Sequence, residues 1–557
     1  MADSEWKNKL YFGDNLDIMR EHIADESVDL IYLDPPFNSN ATYNVLFAER
    51  NGTQSAAQIA AFDDTWHWDM KAEGTYHDIV TDGPRKLADL IQALRSFLGQ
   101  NDMMAYLVMM AARFDEMQRV LKTTGSLYLH CDPTASHYLK LLLDAVFGQQ
   151  NFRNEIVWQR TNVHNAAGQY GRIHDVLLFY TKGTRYLWNT IMLPYSPAQA
   201  SRYRRDEQGR LYTGQDLTAS RPDSNSGKFE WRGTMPPPSR GWGYTIEQLE
   251  KWWAEGRILT KRDKTPRMDG LKVYLDEMPG KALQSVWTDI PRIPNTSPER
   301  LGYPTQKPEA LLERIIRASS NEDDVILDPF CGCGTTITVA ERLSRRWIGI
   351  DITHLAITLM RHRLHDSFGE HLAPYEVIGD PKDPSSARAL AEQDRYQFEW
   401  WALGKVAARP AHDKKKGADT GVDGIINFFD DDSGKAKKII VQVKSGHVTR
   451  SQIGDLKGIM DREKASIAAF ITLEQQTRSM IEEATTAGFY EPGYFPGAEE
   501  FHSAEGKRPR YPRVQILTIK ELLEGKHIDY PRVAFDLTFK KAERRGKTDD
   551  AEQTHLL

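Results

Sequence analysis

The sequence predicts an α/β protein in which a parallel sheet carries a glycine-rich loop and a smaller α/β domain follows. Three observations predict this fold class. Short apolar runs alternate with helical spacing between residues 27 and 147, which is typical of α/β sheets. A strand, a glycine loop, a helix, a second strand and an acid follow one another from residue 325 to residue 351. A further set of apolar strands begins near residue 422, so a second α/β unit is expected.

Size and charge bound the class of protein. The 557 residues are 40% hydrophobic and 27% charged, with 39 Gly and 27 Pro, enough for about three or four domains at roughly 150 residues each. The net charge of −6 means that any nucleic-acid site must be a local basic patch. The longest apolar run, 103–112, is about half of the ~20 residues that cross a bilayer. With no signal-peptide pattern and three cysteines, the chain is expected to be a prokaryotic cytosolic protein without a disulfide framework.

The first strand is predicted at residues 27 to 33, where an apolar run stops at Asp34-Pro35-Pro36-Phe37. Two consecutive prolines end either a sheet ladder or a helix. The following spacing predicts a helix over 102–123, a strand over 126–130 and a helix over 136–147. The strand at 27–33 therefore delivers a rigid loop to one edge of the sheet.

The stretch from 185 to 285 interrupts this alternation with short pieces rich in Arg, Trp, Gly and Pro. Residues 201 to 272 hold 15 Lys or Arg against 10 Asp or Glu, a local charge of +5 inside an acidic protein. An inserted module that contacts DNA phosphates is one interpretation, and a solvated irregular lobe is the other. The candidate DNA-binding residues are Arg202, Arg204, Arg205, Lys261, Arg262 and Lys264.

The glycine loop runs from Asp328 to Thr336, between strands predicted at 325–327 and 347–350. Gly332 and Gly334 let the backbone approach a ligand closely, and Asp351, 23 residues after Asp328, can accept hydrogen bonds from ribose hydroxyls. No GxxxxGK[ST] motif occurs, so a nucleoside is a better ligand than a triphosphate. No other Cys or His pair lies at zinc spacing, so the two loop cysteines are read as small packing residues.

The loop Asp34-Pro35-Pro36-Phe37 combines a carboxylate, a stiff backbone with a free carbonyl and an aromatic face, which are the groups that hold a flat amine. Together with Phe330-Cys-Gly332-Cys-Gly334, it resembles the amino-directed DNA methyltransferases that use S-adenosyl-L-methionine. In that family the first motif, [DNS]PP[YFW], is catalytic and the second, FxGxG, binds the cofactor. The catalytic motif precedes the cofactor motif by 294 residues, an order similar to the β group.

Other segments extend the resemblance over residues 8 to 365. Tyr11-Phe-Gly-Asp14 is similar to the position that contacts the cofactor adenine, and 302–308 to the segment over its methionine end. The stretch from Gly125 to Trp158 resembles modification subunits of type III restriction systems. The resemblance implies a Rossmann-like methyltransferase sheet with an inserted target-recognition domain. The cofactor residues that it implies are Asp14, Thr305, Lys307, Asp328, Phe330, Gly332, Gly334, Thr335 and Asp351, and the catalytic residues are Asp34, Pro35, Pro36 and Phe37.

The chemistry agrees with transfer to an exocyclic nitrogen. Asp34 and the Pro35 carbonyl can accept the two amine hydrogens, while Phe37 stacks on a base turned out of the duplex. Methylation of a pyrimidine carbon needs an activated thiol, usually after a proline in this family, and none of the three cysteines follows one. The resemblance implies adenine N6 as the target, since similar enzymes with Asp in the first position mostly act on adenine, and cytosine N4 is the alternative. A nucleotide-dependent oxidoreductase would leave the proline loop and the basic insert without a purpose.

The C-terminal domain has a second constellation. Asp423 precedes Gln442 by 19 residues, and Lys444 follows at the end of a strand predicted over 438–443, between strands at 422–428 and 466–472. With Glu399 on a helix, this resembles the PD-(D/E)XK nuclease core in its Mrr-like restriction endonuclease form. The resemblance implies Mg²⁺ held by Asp423 and Gln442, with Lys444 orienting water. A noncatalytic DNA-binding domain is the alternative.

The predicted boundaries divide the chain into six parts: the catalytic part at 1–184, the target-recognition insert at 185–285, the cofactor part at 286–378, a linker at 379–391, the endonuclease-like domain at 392–534 and a charged tail at 535–557. We expect a site-specific DNA adenine-N6 methyltransferase of a restriction-modification system that acts on double-stranded DNA. A homodimer and other restriction-system proteins are partners that the sequence leaves open. No membrane partner is expected.

Overall fold

The computed structural model describes residues 6–36, 42–48, 54–63, 68–161, 168, 170–220, 227–294, 297, 299–301, 303, 305–411, 421–430, 436–492 and 510–531. Phe37 and the charged tail predicted at 535–557 lie outside the described residues. Among those that are described, no helix is both long enough and apolar enough to span a bilayer.

The elements before residue 190 alternate much as the sequence predicts. Their bounds are β1 (Asn8–Phe12), α1 (Asn15–His22), β2 (Val28–Leu33), β3 (Thr42–Ala48), β4 (Gln54–Asp63), α2 (Met70–Asp82), α3 (Arg85–Leu98), α4 (Asp102–Val120), β5 (Leu121–Cys131), α5 (Ser136–Phe147), β6 (Phe152–Gln159) and β7 (His174–Thr181). The helix predicted over 102–123 ends three residues earlier, because Leu121 already pairs with Val28 at the start of β5.

The middle of the chain, Thr190–Gln284, forms a compact unit of its own. Its elements are β8 (Met192–Leu193), α6 (Pro197–Ala200), β9 (Arg204–Arg205), β10 (Leu211–Gln215), β11 (Thr218–Ser220), β12 (Arg240–Trp242), α7 (Ile246–Ala254), β13 (Ile258–Thr260), β14 (Pro266–Tyr274) and β15 (Lys281–Ala282). Four of the strands form an antiparallel sheet in the order β13-β14-β10-β9. Trp231 and Trp242 are buried together with Leu249, so the tryptophans that suggested an irregular module build its core.

The elements after residue 284 complete the first sheet and then form the C-terminal domain. They are β16 (Val286–Trp287), α8 (Glu309–Ser319), β17 (Val325–Asp328), α9 (Thr335–Arg342), β18 (Arg346–Asp351), α10 (His354–Phe368), β19 (Tyr375–Ile378), α11 (Pro384–Gln393), α12 (Arg395–Lys405), β20 (Arg409–Pro410), β21 (Gly424–Phe428), β22 (Lys437–Lys444), α13 (Arg450–Arg462), β23 (Ile467–Thr472), α14 (Arg478–Thr485), β24 (Phe489–Tyr490), β25 (Tyr511–Pro512), β26 (Val514–Thr518) and α15 (Ile519–Leu523).

Nine strands form the first sheet in the order β16-β6-β7-β5-β2-β17-β18-β1-β19. Every neighbouring pair is parallel except those that β7 makes with β5 and β6. Helix α4 packs against α1, α2, α3 and α5, so it is surrounded by other helices. This position explains the long apolar run at 103–112, since a helix buried on all sides needs no polar face.

The C-terminal domain has a five-stranded sheet in the order β20-β21-β22-β23-β26, with the last three strands parallel. The linker predicted over 379–391 is mostly helix α11. Asp383 caps this helix through a capping box, Pro384 occupies its first turn, and Ala387 and Leu390 are buried in the domain core. The stretch of Asp, Pro and Ser is therefore a helix start and not a flexible connection.

Helix α12 packs directly on α10, the helix that follows the acid at the end of β18. The Gln397 side chain accepts a hydrogen bond of 3.1 Å from the His354 backbone N–H. Lys405 pairs with Asp380 at 2.8 Å, and Trp400 packs beside Leu355 and Leu359. The C-terminal domain therefore packs on α10, which begins at the same edge of the first sheet as the glycine loop.

His354 is buried at the start of α10, where α12 packs on this helix. Its ring stacks on Phe12 with the ring centroids 3.5 Å apart. Burial lowers the pKa of His354 to about 4, against the opposing charge of Asp380. The imidazole is consequently neutral near pH 7 and packs as an aromatic group.

Gly404 offers a test of this junction. A methyl group added at Gly404 would collide with Thr358 Oγ1 on α10, whereas one added at Gly454 in α13 meets nothing within 4 Å. We expect Gly404→Ala to destabilise the protein by about 1–3 kcal/mol through overpacking, seen as a lower midpoint of thermal unfolding. Gly454→Ala should be neutral or stabilising by up to about 1 kcal/mol.

Removing the opposing side chain should separate the collision from other effects. The double variant Gly404→Ala/Thr358→Ala lacks the atoms that the new methyl group meets first. Its unfolding midpoint should lie above that of Gly404→Ala alone. An unfolding midpoint for Gly404→Ala equal to that of Gly454→Ala would contradict the close packing of α12 on α10.

Candidate functional site

Two loops distant in sequence meet at the carboxyl edge of the first sheet. Strands β2 and β17 are parallel neighbours, with Leu30 opposite Ile326 and Ile31 opposite Leu327. Asp34 follows the end of β2 and Asp328 ends β17. Because parallel strands end at the same edge, the proline loop and the glycine loop face one cavity.

The glycine loop makes a tight turn into helix α9. Gly332 and Gly334 have φ angles of 50° and 75°, a region that side chains with a Cβ rarely adopt. A Cβ at Gly334 would also lie 2.5 Å from Met360 Cγ. Glycine is therefore required at position 334 both by conformation and by space.

Asp351 at the end of β18 braces this turn. One carboxylate oxygen accepts a hydrogen bond of 2.9 Å from the Gly332 backbone N–H. The other accepts from the backbone N–H of Thr353 at 2.9 Å and from its hydroxyl at 2.8 Å. A carboxylate has about four lone-pair sites, so Asp351 keeps accepting capacity for a ligand in the cavity.

A buried arginine joins a third segment to the glycine loop. Arg113 of α4 is only 6% exposed; it donates at 2.5 Å both to Asp14 and to the Asn15 side chain. The Asn15 amide in turn donates at 2.6 Å to the Pro329 carbonyl. Lys71 also pairs with Asp14 at 3.0 Å. These contacts hold the start of α1 against the loop that follows β17.

The two carboxylate oxygens of Asp34 differ in whether they have a partner. Its Oδ2 atom pairs with the Lys307 ammonium, whereas its Oδ1 atom is buried and has no hydrogen-bond partner within the described part of the chain. A buried carboxylate oxygen without a donor is costly. It is therefore a position where a ligand N–H would be stabilised. Pro35 and Pro36 line the same cavity.

The acids of the cavity differ in their protonation. Burial raises the pKa of Asp328 to about 7, and the charges of Asp34 and Asp351 add to the shift. Burial also raises the pKa of Asp351. Burial acts in the same direction on Asp14, but the charge of Arg113 and the hydrogen bonds from Leu16 and Lys71 outweigh it and hold the pKa of Asp14 below its usual value.

The cavity brings together the predicted residues Asp14, Asp34, Pro35, Pro36, Thr305, Lys307, Asp328, Phe330, Gly332, Thr335 and Asp351. Gly334 lies within the same turn, and Phe37 is outside the described residues. Sequence reasoning missed Arg113, Asn15 and Tyr32, which also line the cavity. One signal was present for Arg113, because a lone charge directly after the apolar run of α4 needs a buried partner.

In the separate unit Thr190–Gln284, the six predicted DNA-binding side chains are all exposed. Arg204 and Arg205 lie on edge strand β9, and Lys261 to Lys264 lie in the turn between β13 and β14. Among the described residues none of the six forms an ion pair, whereas five other arginines of this unit do: Arg210, Arg232, Arg240, Arg257 and Arg267. The six are therefore the charges left available to solvent or to a ligand.

The nuclease-like residues lie around the start of β21 and the end of β22. Asp423 is the residue before β21, and its carboxylate accepts a hydrogen bond of 2.7 Å from the Val443 backbone N–H. Gln442 Oε1 is buried without a partner in the described residues. Lys444 ends β22, and Glu399 lies on α12.

This donor set offers Mg²⁺ little negative charge. Mg²⁺ is bound through one or two carboxylates together with substrate phosphates. Here Asp423 is the one carboxylate, with one oxygen accepting from the Val443 N–H, and the second position is the neutral amide of Gln442. In the described part of the chain no three acidic, His or Cys side chains cluster at metal-binding distance. We therefore derive no metal-dependent step from these residues.

Comparison with known proteins gives two family matches. The model of the N6 and N4 DNA methylase family matches residues 28–361, more than half of the chain. A second model, described as NACHT-associated inactive Restriction Endonuclease 1, matches residues 396–524.

Similar individual proteins cover the same region. The type II methyltransferase M.EcaI of Enterobacter cloacae is 28% identical over 62% of this chain and 66% of its own length. The type III restriction-modification enzyme StyLTI Mod subunit of Salmonella typhimurium is 25% identical over 60% of this chain and 50% of its own. The matched regions thus span less than two thirds of these relatives. The solved PvuII DNA methyltransferase, cytosine-N4-specific, is 14% identical over 64% of this chain and 86% of its own, with a TM-score of 0.30.

Proposed function

The chain belongs to the family of N6 and N4 DNA methylases, and from this premise we propose that it transfers a methyl group from S-adenosyl-L-methionine to adenine N6 in double-stranded DNA. The buried, unpartnered Oδ1 atom of Asp34 carries this proposal. Asp34 lines the cavity that the glycine loop also lines. A relative that is a Mod subunit supports a role in a restriction-modification system.

The cavity residues suit the proposed cofactor. Asp351 retains accepting capacity for ribose hydroxyls beside the backbone of Gly332. Asp14 lies between β1 and α1 and forms an ion pair with Arg113. The acidic lining from Asp14, Asp328 and Asp351 also suits a sulfonium charge. When bound, the cofactor would supply an electrophilic methyl group.

Asp34 and Pro35 would then hold the amine that receives the methyl group. The lone pair of an exocyclic amine is delocalised into the ring, and hydrogen bonds that favour a pyramidal nitrogen make it available for attack. Asp34 Oδ1 and the Pro35 carbonyl are acceptors for the two hydrogens. Lys307 holds the other oxygen of Asp34, so the carboxylate is fixed in one orientation before the base arrives.

The cysteines support transfer to nitrogen and not to carbon. Cys131, Cys331 and Cys333 are all buried. Burial raises the pKa of each thiol above its usual value, which disfavours the thiolate needed to attack a pyrimidine ring. We prefer adenine to cytosine as the amino base because Asp34 stands at the first position of the proline loop, as in most of the adenine-specific enzymes that the motif resembles.

Asp34→Asn tests the central residue. The amide keeps the size of the side chain but loses the charge and one acceptor, so we expect methyl transfer from labelled S-adenosyl-L-methionine to plasmid DNA to fall at least about 100-fold. The dissociation constant of the cofactor should change by no more than about threefold. Asp323→Asn, which alters an exposed acid before β17, is the matched control and should retain full activity.

The same assay identifies the base. Nucleoside analysis of the methylated plasmid should yield N6-methyladenine. N4-methylcytosine instead would contradict the adenine assignment while supporting the amine chemistry. Wild-type transfer by Asp34→Asn would overturn the role of Asp34.

We further propose that the exposed basic residues of Thr190–Gln284 contact DNA phosphates. The support is that these side chains are exposed and unpaired among the described residues, while neighbouring arginines are engaged by acids. Phosphate contacts release counterions, so binding weakens with salt in proportion to their number.

A double variant tests this patch. Arg202→Ala/Arg204→Ala should weaken DNA binding and reduce the slope of log affinity against log salt by about 0.9 for each phosphate that the variant no longer neutralises. Arg232→Ala/Arg267→Ala removes the same charge from arginines already paired with Glu250 and Asp269. Equal salt slopes for the two double variants would contradict the proposal.

For the C-terminal domain we propose a noncatalytic role. The support is the low negative charge of the donor set, in which Gln442 supplies a neutral amide in place of a second carboxylate, and the match to a family described as inactive. The packing of α12 on α10 gives the domain a structural task beside the cofactor loop. A Mg²⁺-dependent endonuclease of the Mrr-like kind is the alternative that the experiment must exclude.

Plasmid cleavage distinguishes the two. Full-length protein with Mg²⁺ or Mn²⁺ should nick methylated and unmethylated plasmid no faster than Lys444→Ala does. Methyl transfer should be the same for both proteins. Nicking by the wild type that Lys444→Ala abolishes would establish an active nuclease.

A further inference from the structure

A chain of three buried polar side chains runs from the interior of the sheet to the wall of the cavity. Tyr32, His130 and Asp175 are 2%, 0% and 2% exposed. The Tyr32 hydroxyl lies 3.1 Å from His130 Nδ1, and His130 Nε2 lies 3.2 Å from Asp175 Oδ2. Tyr32 lines the cavity together with Asp34. None of the three residues was among those predicted from the motifs.

Three neighbouring strands supply one residue each. Tyr32 lies on β2, two residues before Asp34, so both side chains point to the same face. His130 lies near the end of β5, opposite Leu177 of β7, and Asp175 is at the start of that antiparallel strand. The three side chains therefore converge at the carboxyl edge of the sheet, on the side of β2 away from β17.

The charge of Asp175 sets the direction of the hydrogen bonds. Burial raises its pKa, but the hydrogen bond from His130 and the charges of Lys307 and Arg160 outweigh burial and hold the pKa below its usual value. Arg160 Nε lies 3.3 Å from the other carboxylate oxygen. Asp175 is thus an acceptor only, and His130 Nε2 must donate to it.

The direction of the hydrogen bond between His130 and Tyr32 depends on where the imidazole carries its hydrogen. When the imidazole carries a single hydrogen, on Nε2, its Nδ1 atom is an acceptor, and in that tautomer the Tyr32 O–H donates to it. The Tyr32 oxygen then presents lone pairs to the cavity beside Asp34. Burial and the charges of Asp34, Asp328 and Asp175 raise the pKa of Tyr32 well above its usual value, so the phenol stays protonated.

We propose that Asp175, His130 and Tyr32 form a positioning relay that keeps the Tyr32 oxygen as a hydrogen-bond acceptor in the target-base pocket. The Tyr32 oxygen shares with Asp34 Oδ1 one of the two amine hydrogens in a three-centre hydrogen bond, while the Pro35 carbonyl accepts the other, so the pocket selects a base through its amine hydrogens. This inference rests on the proposed function and adds the residues that orient the pocket. Tyr32 would contact the base, and His130 and Asp175 would act through Tyr32.

The test is a double-mutant cycle on methyl transfer by the full-length protein. Tyr32→Phe removes the hydroxyl and keeps the ring. Asp175→Asn keeps the size but can donate to His130 Nε2, which moves the imidazole hydrogen to Nδ1 and turns the Tyr32 hydroxyl into a donor toward the cavity. Each variant should lower kcat by about 10- to 100-fold, the effect of one misdirected hydrogen bond, with little change in KM for S-adenosyl-L-methionine.

The double variant separates positioning from packing. If Asp175 acts through the Tyr32 hydroxyl, Tyr32→Phe/Asp175→Asn should be no slower than Tyr32→Phe alone. Independent structural damage would instead multiply the two reductions in kcat. Thermal unfolding of each variant checks that the folded state is populated at the assay temperature.

Tyr128→Phe is the matched control. Tyr128 lies opposite Tyr32 in the β2–β5 register and is equally buried, but its hydroxyl bonds to Ser319 Oγ at 2.8 Å. Its kcat should equal that of the wild type. Wild-type kcat for Tyr32→Phe, or multiplicative reductions in the double variant, would overturn the relay. Absence of methyl transfer by the wild-type protein would instead overturn the proposed function.

Discussion

The structure of the candidate site depends on one pairing, the parallel contact between β2 and β17. Leu30 and Ile31 lie opposite Ile326 and Leu327 across nearly 300 residues of chain. Since a parallel pair ends at one edge of the sheet, this register is enough to bring the proline loop beside the glycine loop. A one-residue slip would turn the side chains of β2 to the opposite face and remove Asp34 from the cavity. The order of the two motifs along the chain has no effect on this geometry.

The buried side chain of Arg113 stabilises the loop that follows β17. It binds Asp14 and Asn15, and Asn15 binds the carbonyl of Pro329, so three separate segments share one network. Breaking one member of a buried ionic network leaves an uncompensated charge. On the other side of the glycine loop, α12 of the C-terminal domain packs on α10. The Arg113 network therefore contacts the glycine loop directly, and the C-terminal domain packs on α10, the helix that follows β18.

How much of this could be predicted from the sequence depends on whether a feature is local. The strands at β2, β17 and β18, helix α5 and the two loops follow from apolar runs, prolines and glycines, and the structure has them within a few residues.

Helix α11 was missed although Asp383 and Pro384 are a recognisable helix start. Lys307 lines the cavity with the other predicted residues and also pairs with Asp34; this ion pair was not predicted, because sequence position does not tell in which direction a long side chain extends. The buried chain through Tyr32 and His130 needs the order of three strands, which no local pattern contains.

The electrostatics of the cavity follow from an imbalance of charge. Four carboxyl groups face it, and among the described residues only two have cationic partners, Asp14 with Arg113 and Asp34 with Lys307. Asp351 is stabilised by three hydrogen bonds.

Asp328 instead has its pKa raised to about 7, so near neutral pH it is partly protonated. A cation bound in the cavity would favour the ionised form of Asp328, and by linkage its binding would release a proton. Acidic groups thus outnumber their cationic partners in the cavity, and a sulfonium cofactor would supply a positive charge.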